Sequence, residues 1–111
     1  MKMKPWDIYT WKFPDGGEHP AVILGTDDRV QNKPMLNVLL CSSQRALRDA
    51  KPMEVILDKA DGLDWPTLCK CDFIYSVPAK ELSKHRGGAV AQPRRREIAA
   101  RIIRSLGLAG L

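Results

Sequence analysis

Residues 67–82 read Thr-Leu-Cys-Lys-Cys-Asp-Phe-Ile-Tyr-Ser-Val-Pro-Ala-Lys-Glu-Leu, and they begin as an alternating β-strand. One face of this strand carries Leu68, Lys70 and Asp72, so the Lys70 and Asp72 side chains lie side by side on a rigid element. This pair is either a surface ion pair worth at most about 1 kcal/mol, or a site in which Lys70 holds an anion and Asp72 accepts a proton. We expect the strand to end near Tyr75 and a helical turn to follow over residues 76–82. Side chains suited to a core share the other face, namely Thr67, Cys69, Cys71 and Phe73.

Shorter patterns on either side of this strand predict the remaining elements. Alternating aromatic or continuous apolar runs predict strands, whereas polar segments rich in glycine and proline predict loops. Besides the strand that begins at residue 67, strands are predicted over residues 6–13, 21–25, 35–42 and 54–57, and residues 89–91 are compatible with a sixth strand. The predicted loops cover residues 14–20, 26–34 and 58–66. A short helix is predicted over residues 43–50. Short strands at this spacing are typical of a small closed or half-closed barrel, which makes the chain mainly β with α.

The C-terminal residues 92–108 form the most strongly patterned helix. Its first turn accommodates Pro93. Apolar side chains at 3.6-residue spacing form one stripe, which we expect to pack on the sheet: Ile98, Ala99, Ile102, Ile103 and Leu106. The other side is basic, either as a solvated face or because the three arginines of the first turn, which oppose the helix dipole, answer an anion elsewhere.

Length and composition limit the possible functions. The 111 residues fit one domain, residues 1–111, and the net charge of +5 favours a polyanionic partner, nucleic acid first. No run of 18 apolar residues is present and the first residues lack an apolar signal region, so we expect no membrane partner and a cytoplasmic location. The three cysteines are better explained as reduced core thiols than as a zinc site completed by His85, and no cofactor or metal site is predicted.

Several segments, taken in order, resemble the PemK/MazF (Kid) family of toxins. Residues 19–24 (His-Pro-Ala-Val-Ile-Leu) resemble the family's Arg-Pro-Ala-Leu-Val-Leu, and residues 39–43 resemble its apolar strand ending in Thr-Ser or Thr-Ala. Residues 62–67 resemble its Gly-Leu-x-x-x-Ser segment, and residues 70–72 (Lys-Cys-Asp) its Arg-Cys-Asp. The resemblance extends over nearly the whole chain. Five residues depart from it: His19, Lys70 and Tyr75 stand where the family has arginine, Ser42 where it has threonine, and Pro78 where it has aspartate.

The resemblance implies a small SH3-like β-barrel with a C-terminal helix, usually a homodimer. It also implies an endoribonuclease that cuts single-stranded mRNA and is neutralised by a cognate antitoxin whose flexible acidic tail lies across the RNA groove. Metal-free cleavage would use the 2′-hydroxyl as nucleophile. Asp72 would then be the base, His19 the acid, Lys70 the phosphate-binding cation and Ser42 a hydrogen-bond donor.

Further residues are candidates for RNA binding. Aromatic rings can stack on unpaired bases, but each of these rings is equally well explained by core packing. The RNA-binding candidates are Trp11, Tyr75, Arg45, Arg48 and Glu18, with Tyr9 and Trp6 as additional stacking surfaces. One alternative is a catalytically weakened barrel that binds RNA or a protein tail without cutting. A CcdB-type gyrase poison is disfavoured because that type ends in Trp-Gly-Ile and this chain ends in Leu-Ala-Gly-Leu.

Overall fold

The computed structural model describes residues 3–43 and 48–111. Five antiparallel strands form one sheet in the order β1-β2-β3-β5-β4. Two helices and two 3₁₀ turns accompany the sheet. The elements are β1 (Ile8–Lys12), β2 (Glu18–Leu24), α1 (Asp27–Asn32), β3 (Met35–Ser43), β4 (Glu54–Leu57), the turn Lys59–Asp61, β5 (Thr67–Pro78), the turn Ala79–Glu81 and α2 (Gln92–Ser105). The prediction of a mainly β fold with a C-terminal helix is confirmed.

The sheet remains open, because β1 and β4 lie at its two edges and do not pair with each other. Closure into a complete barrel is therefore not observed. The outer edge of β1 is instead covered by the segment that precedes α2, since Thr10 N donates to Ser83 O (2.9 Å) and Arg86 N donates to Ile8 O (2.8 Å). The strand expected over residues 89–91 is reduced to a single bridge between Ala89 and Asp7.

Each face of the sheet supports its own buried cluster, because successive residues of a strand point to opposite sides. The first cluster lies under α2, which packs on β4 and β5, and includes Ile8, Val22, Leu39, Cys41, Cys69, Cys71 and Ile98. The second cluster lies on the other face and includes Tyr9, Phe13, Ala21, Ile23, Val30, Val38 and Val77. All three cysteines are free and buried, which confirms that they are core thiols.

Strand β5 alternates correctly only in its first half. Cys69 pairs with Cys41 and Ile74 pairs with Leu39, so two steps along β3 correspond to five steps along β5. This bulge interrupts the period of two, and Phe73, which was expected in the core, is 43% exposed. The predicted end of the strand near Tyr75 is also wrong, because β5 continues to Pro78, paired with Met35 of β3. Only residues 79–81 of the expected helical turn are helical.

Two local predictions between β2 and β4 were wrong. Residues 26–34, expected to be a loop, contain α1, whose N-cap Thr26 accepts a hydrogen bond from Arg29 N (3.2 Å). The helix expected over residues 43–50 is not found where the structure describes the chain, since Ser43 ends β3 and residues 48–50 are not helical. Residues 44–47 of that prediction lie outside the described residues.

Helix α2 buries less of its apolar stripe than its sequence predicts. Ile98 is fully buried and Ile102 packs at the margin of the first cluster. Ile103 and Leu106, also expected to pack, are exposed. In the described ranges, no helix has the length and apolarity needed to cross a membrane.

Carboxylates fix the first turn of α2 through one of its three arginines, Arg94, whereas Arg95 donates to Val90 O (2.7 Å). Arg94 contacts both Asp58 and the buried Asp61. Asp61 also accepts from Ala91 N (2.8 Å) and from Asp58 N (2.9 Å), completing a capping box on the Lys59–Asp61 turn. These bonds join the β4–β5 connection to the start of the helix.

Candidate active site

His19 is held by the loop that joins β1 to β2. Its Nε2 lies 3.0 Å from Asp15 Oδ2, and Asp15 Oδ1 accepts from Gly17 N at 2.7 Å. The Phe13 ring lies 5.7 Å from the imidazole, tilted by 56°. A Cβ at residue 17 would lie only 2.8 Å from His19 Nε2, so glycine is required for the loop to approach the ring this closely.

Asp15 is ionised at neutral pH. The Gly17 N–H bond lowers the pKa of its carboxyl below the ordinary value, and the hydrogen bond and charge of His19 lower it further, against a smaller desolvation effect. Sequence analysis identified His19 but missed Asp15. The Asp-Gly-Gly sequence was interpreted only as a turn, and nothing in its spacing indicates that the carboxylate reaches the histidine.

His19, Ser42 and Lys70 point to the same face of the sheet, the face of the second cluster. His19 is two residues before Ala21, which belongs to the second cluster, so the two side chains lie on the same face. Ser42 and Lys70 are adjacent in sequence to cysteines of the first cluster, so their side chains point to the opposite face, that of the second cluster. The three lie near one end of neighbouring strands, because Ala21 pairs with Leu40 and Ser42 with Leu68. With strands about 4.8 Å apart and a rise of about 3.4 Å per residue, the Cα atoms of His19 on β2 and Lys70 on β5 are roughly 12 Å apart, with β3 between them.

Lys70 and Asp72 differ in their surroundings. Lys70 is half-buried, with Nζ 5.5 Å from the centre of the Phe73 ring, and it lies opposite Glu54 of β4. Asp72 is exposed within the bulge of β5. Of the two interpretations of this pair, the surface ion pair is not formed among the described residues: Lys70 lies over an aromatic ring and Asp72 is a solvated carboxylate.

Two of the aromatic candidates, Trp11 and Tyr75, form a packed group with Phe13 beside His19, whereas Trp6 packs against the first cluster and Tyr9 stacks on His85. Trp11, opposite His19 in the β1–β2 register, lies 4.6 Å from Phe13 and 5.8 Å from Tyr75 between ring centres. The Trp11 indole N–H donates to Glu81 Oε1 (3.0 Å). Tyr75 meets Phe13 edge to face at 5.1 Å. Trp11 and Tyr75 are both half-buried, so each packs on one side and presents its other side to solvent.

Of the charged RNA-binding candidates, the two that the structure describes, Glu18 and Arg48, are not part of this group. Glu18 is exposed at the start of β2, opposite Lys12. Arg48 makes a two-point ion pair with Glu54, at 2.9 Å for both bonds. This pair lowers the pKa of the Glu54 carboxyl below its ordinary value. Arg45 lies outside the described residues.

A second feature was missed from the sequence. Trp65, in the loop before β5, is 61% exposed and lines a small cleft with Pro20, Ser43 and Arg86. Arg86 is anchored there by a 2.7 Å bond from its Nε to Thr10 Oγ1. The sequence gives little indication that Trp65 and Arg86 line the same cleft, since the two residues are 21 positions apart.

Comparison with known families assigns the chain. Residues 4–106 match the model of the PemK-like, MazF-like toxins of type II toxin–antitoxin systems. The chain belongs to this family. The predicted resemblance is therefore confirmed over nearly the whole sequence. A search of curated proteins found no match.

Solved structures of PemK/MazF toxins share this fold at low sequence identity. A mycobacterial endoribonuclease in complex with its cognate antitoxin superposes with a TM-score of 0.81 at 18% identity, covering 98% of this chain and 99% of the other. The Mycobacterium tuberculosis toxin MazF-mt6 gives 0.77 at 20% identity, covering 92% and 97%. MazF from Deinococcus radiodurans gives 0.79 at 15%, covering 96% and 98%. At such identities the likeness concerns the fold.

Proposed function

We propose that this PemK/MazF-family protein is a sequence-selective endoribonuclease toxin that cuts single-stranded mRNA without a metal. The observation that carries the proposal is the placement of an imidazole, a hydroxyl and an ammonium on one face of a sheet whose family is that of type II toxins: His19, Ser42 and Lys70. A cytoplasmic location follows from that substrate.

The reaction proposed is attack of the 2′-hydroxyl on the adjacent phosphorus. A base removes the hydroxyl proton, the new O–P bond forms, and the bond from phosphorus to the 5′-oxygen breaks as that oxygen takes a proton. His19 is the acid and Asp72 the base, while Lys70 balances the extra negative charge on the phosphoryl oxygens. The exposed Asp72 carboxylate must come within hydrogen-bond reach of the 2′-hydroxyl when RNA binds. The rings of Trp11 and Tyr75 supply stacking surfaces beside His19.

The test is cleavage of labelled single-stranded RNA in EDTA. Products should carry a 2′,3′-cyclic phosphate or 3′-phosphate and a 5′-hydroxyl, and a substrate with a single 2′-deoxy residue at the cut should resist. His19→Ala and Asp72→Asn should each lower the rate by roughly 10²–10⁴-fold, as for one acid–base group. Glu97→Gln, on α2 across the sheet, is the matched carboxylate control and should cut like wild type. Equal cleavage by wild type and the double variant would reject this mechanism.

The second candidate is a member of the family that binds RNA or a protein tail without cutting. It is favoured by Tyr75, which packs on Trp11 and Phe13 where an arginine was expected from the family resemblance. It is also favoured by the position of Lys70, whose Nζ lies 5.5 Å from the centre of the Phe73 ring, and by the solvent exposure of Asp72. Binding of RNA by wild type with no products at any time would support this candidate against the first.

Two partners are proposed from the family. A structural relative was solved with its cognate antitoxin, and we propose that this chain is likewise neutralised by an antitoxin with a flexible acidic tail. The basic net charge of the chain supports binding of such a tail. We also propose a homodimer, which sedimentation of the purified protein at several concentrations would test.

A further inference from the structure

We propose that Asp15 is a positioning residue for His19. Its carboxylate keeps a hydrogen on Nε2, so that Nδ1 is the ring nitrogen that exchanges a proton with the substrate. This inference deepens the proposed function and rests on it for the role of His19. It goes beyond that proposal by naming a residue outside the predicted site and a specific nitrogen.

The first step concerns Nε2. The Asp15 carboxylate is ionised, so it can only accept hydrogen bonds, and the ring nitrogen 3.0 Å from its Oδ2 must carry a hydrogen. This holds for the neutral imidazole and for the imidazolium. Nε2 therefore keeps its hydrogen throughout, and Nδ1 is the nitrogen that gains and loses one.

The second step concerns access to the ring. The loop lies against the Nε2–Cε1 edge, since a Cβ built on Gly17 would be 2.8 Å from Nε2 and 3.3 Å from Cε1. Phe13 packs against the ring at 5.7 Å. The imidazole is still 28% exposed, and its contact with Asp15 is made through Nε2. Nδ1 is thus the nitrogen left to meet a substrate.

The third step concerns the orienting carboxylate itself. Asp15 uses its other oxygen to accept from Gly17 N at 2.7 Å, so the backbone fixes its position independently of the histidine. A carboxylate fixed in this way orients the ring and stabilises the imidazolium without changing its own protonation. In the proposed reaction, Nδ1–H would donate its proton to the leaving 5′-oxygen as that oxygen separates from phosphorus, leaving a neutral ring that still bonds to Asp15.

The test has a spectroscopic arm that needs no RNA. Long-range ¹H–¹⁵N spectra of the free protein report which imidazole nitrogen carries hydrogen, and His19→Ala assigns the His19 signals. At alkaline pH the His19 ring should carry its hydrogen on Nε2, and Asp15→Asn should shift or broaden that Nε2–H signal. The other histidine is an internal control, because His85 Nε2 bonds to Gly88 O and should not change. A neutral His19 with its hydrogen on Nδ1, or an unchanged signal in Asp15→Asn, would overturn the pairing.

The kinetic arm uses the same variant on single-stranded RNA. Asp15→Asn should lower kcat by at least about tenfold, and by no more than the roughly 10⁴-fold caused by losing the orienting carboxylate of a catalytic triad. KM should change far less than kcat, since a carboxylate that acts through the imidazole affects the chemical step rather than substrate binding. A changed signal with unchanged kcat would overturn the positioning role. If wild type cuts no RNA, the proposed function fails together with that role, whereas the spectra still decide the pairing.

Discussion

Gly17 is the residue on which the geometry of the His19 loop depends most directly. Its φ is not in the left-handed region, so the backbone itself would accept alanine. The methyl group, however, would meet the imidazole at 2.8 Å. We expect Gly17→Ala to displace the ring from Asp15 and to lower RNA cleavage at least tenfold, by the same reasoning as for loss of the orienting carboxylate. The measurement is kcat on single-stranded RNA, with far-UV circular dichroism to show that the fold is retained.

A double variant separates this clash from a general effect on the loop. Residues in contact show non-additive effects, whereas independent residues add. Gly17→Ala should therefore cost no further stability or activity in a His19→Ala background, because the colliding ring has been removed. Additive losses in urea unfolding would contradict the collision as the cause.

At the scale of single residues, the sequence singled out Lys70 from strand alternation, and His19 and Ser42 through family resemblance. That these three residues share one face was not predicted, because His19 was expected in the loop over residues 14–20, whereas β2 begins at Glu18. Strand periodicity could not identify Asp15, since the pairing depends on how a glycine turn folds back on the strand. It also misplaced Phe73, since a bulge is a tertiary feature that leaves no mark on a period of two.

Among the elements, α2 offers a matched pair of substitutions. Ile98 is fully buried in the first cluster, whereas Ile103 is 45% exposed on the same helix. Ile98→Ala should lower the free energy of unfolding by about 2–5 kcal/mol, and Ile103→Ala by less than about 0.5 kcal/mol. Urea unfolding of both variants checks this. Similar losses for the two would mean that the helix packs through a different face.

The junction of α2 with the Lys59–Asp61 turn predicts sensitivity to acid. Arg94 first, and the Ala60 N–H second, lower the pKa of the Asp58 carboxyl below its ordinary value. A carboxyl with a lowered folded-state pKa stabilises the fold above its unfolded pKa of about 4, and that stability is lost as the pH falls through the folded value. Asp58→Asn should therefore lose less stability than wild type between about pH 5 and pH 3. If the free energies of unfolding of wild type and Asp58→Asn fell by the same amount over that range, the Asp58–Arg94 pair would not be the source of the acid sensitivity.

The order of the elements was predictable because most strands are short apolar runs. The predicted strands at residues 35–42 and 54–57 agree closely with β3 and β4. Helix α1 was missed because a single buried side chain, Val30, gives too little periodicity in six residues. The N-cap Thr26, followed by two aspartates, was the available signal. That the edge strands β1 and β4 do not pair with each other depends on long-range contacts, which local patterns do not encode.

For the whole molecule, net charge predicts salt-dependent binding of RNA but does not locate it. Within residues 3–43 and 48–111, three arginines form ion pairs with carboxylates: Arg48 with Glu54, Arg94 with Asp58 and Asp61, and Arg101 with Glu97. Because these arginines are already paired with carboxylates of the protein, they contribute less to phosphate binding than their number suggests. The excess charge that matters must therefore come from other cations.

Lys70 and Arg104 distinguish the two faces of the molecule. Lys70 lies on the face of His19, whereas Arg104 is exposed on α2, across the sheet. Each phosphate contact on a single strand changes the slope of log Kd against log salt by about 0.7. Lys70→Met should reduce the slope by about that amount, and Arg104→Met should leave it unchanged. Titrations of single-stranded RNA at several salt concentrations measure both. If Arg104→Met reduced the slope and Lys70→Met did not, the RNA would bind along α2 rather than on the face of His19.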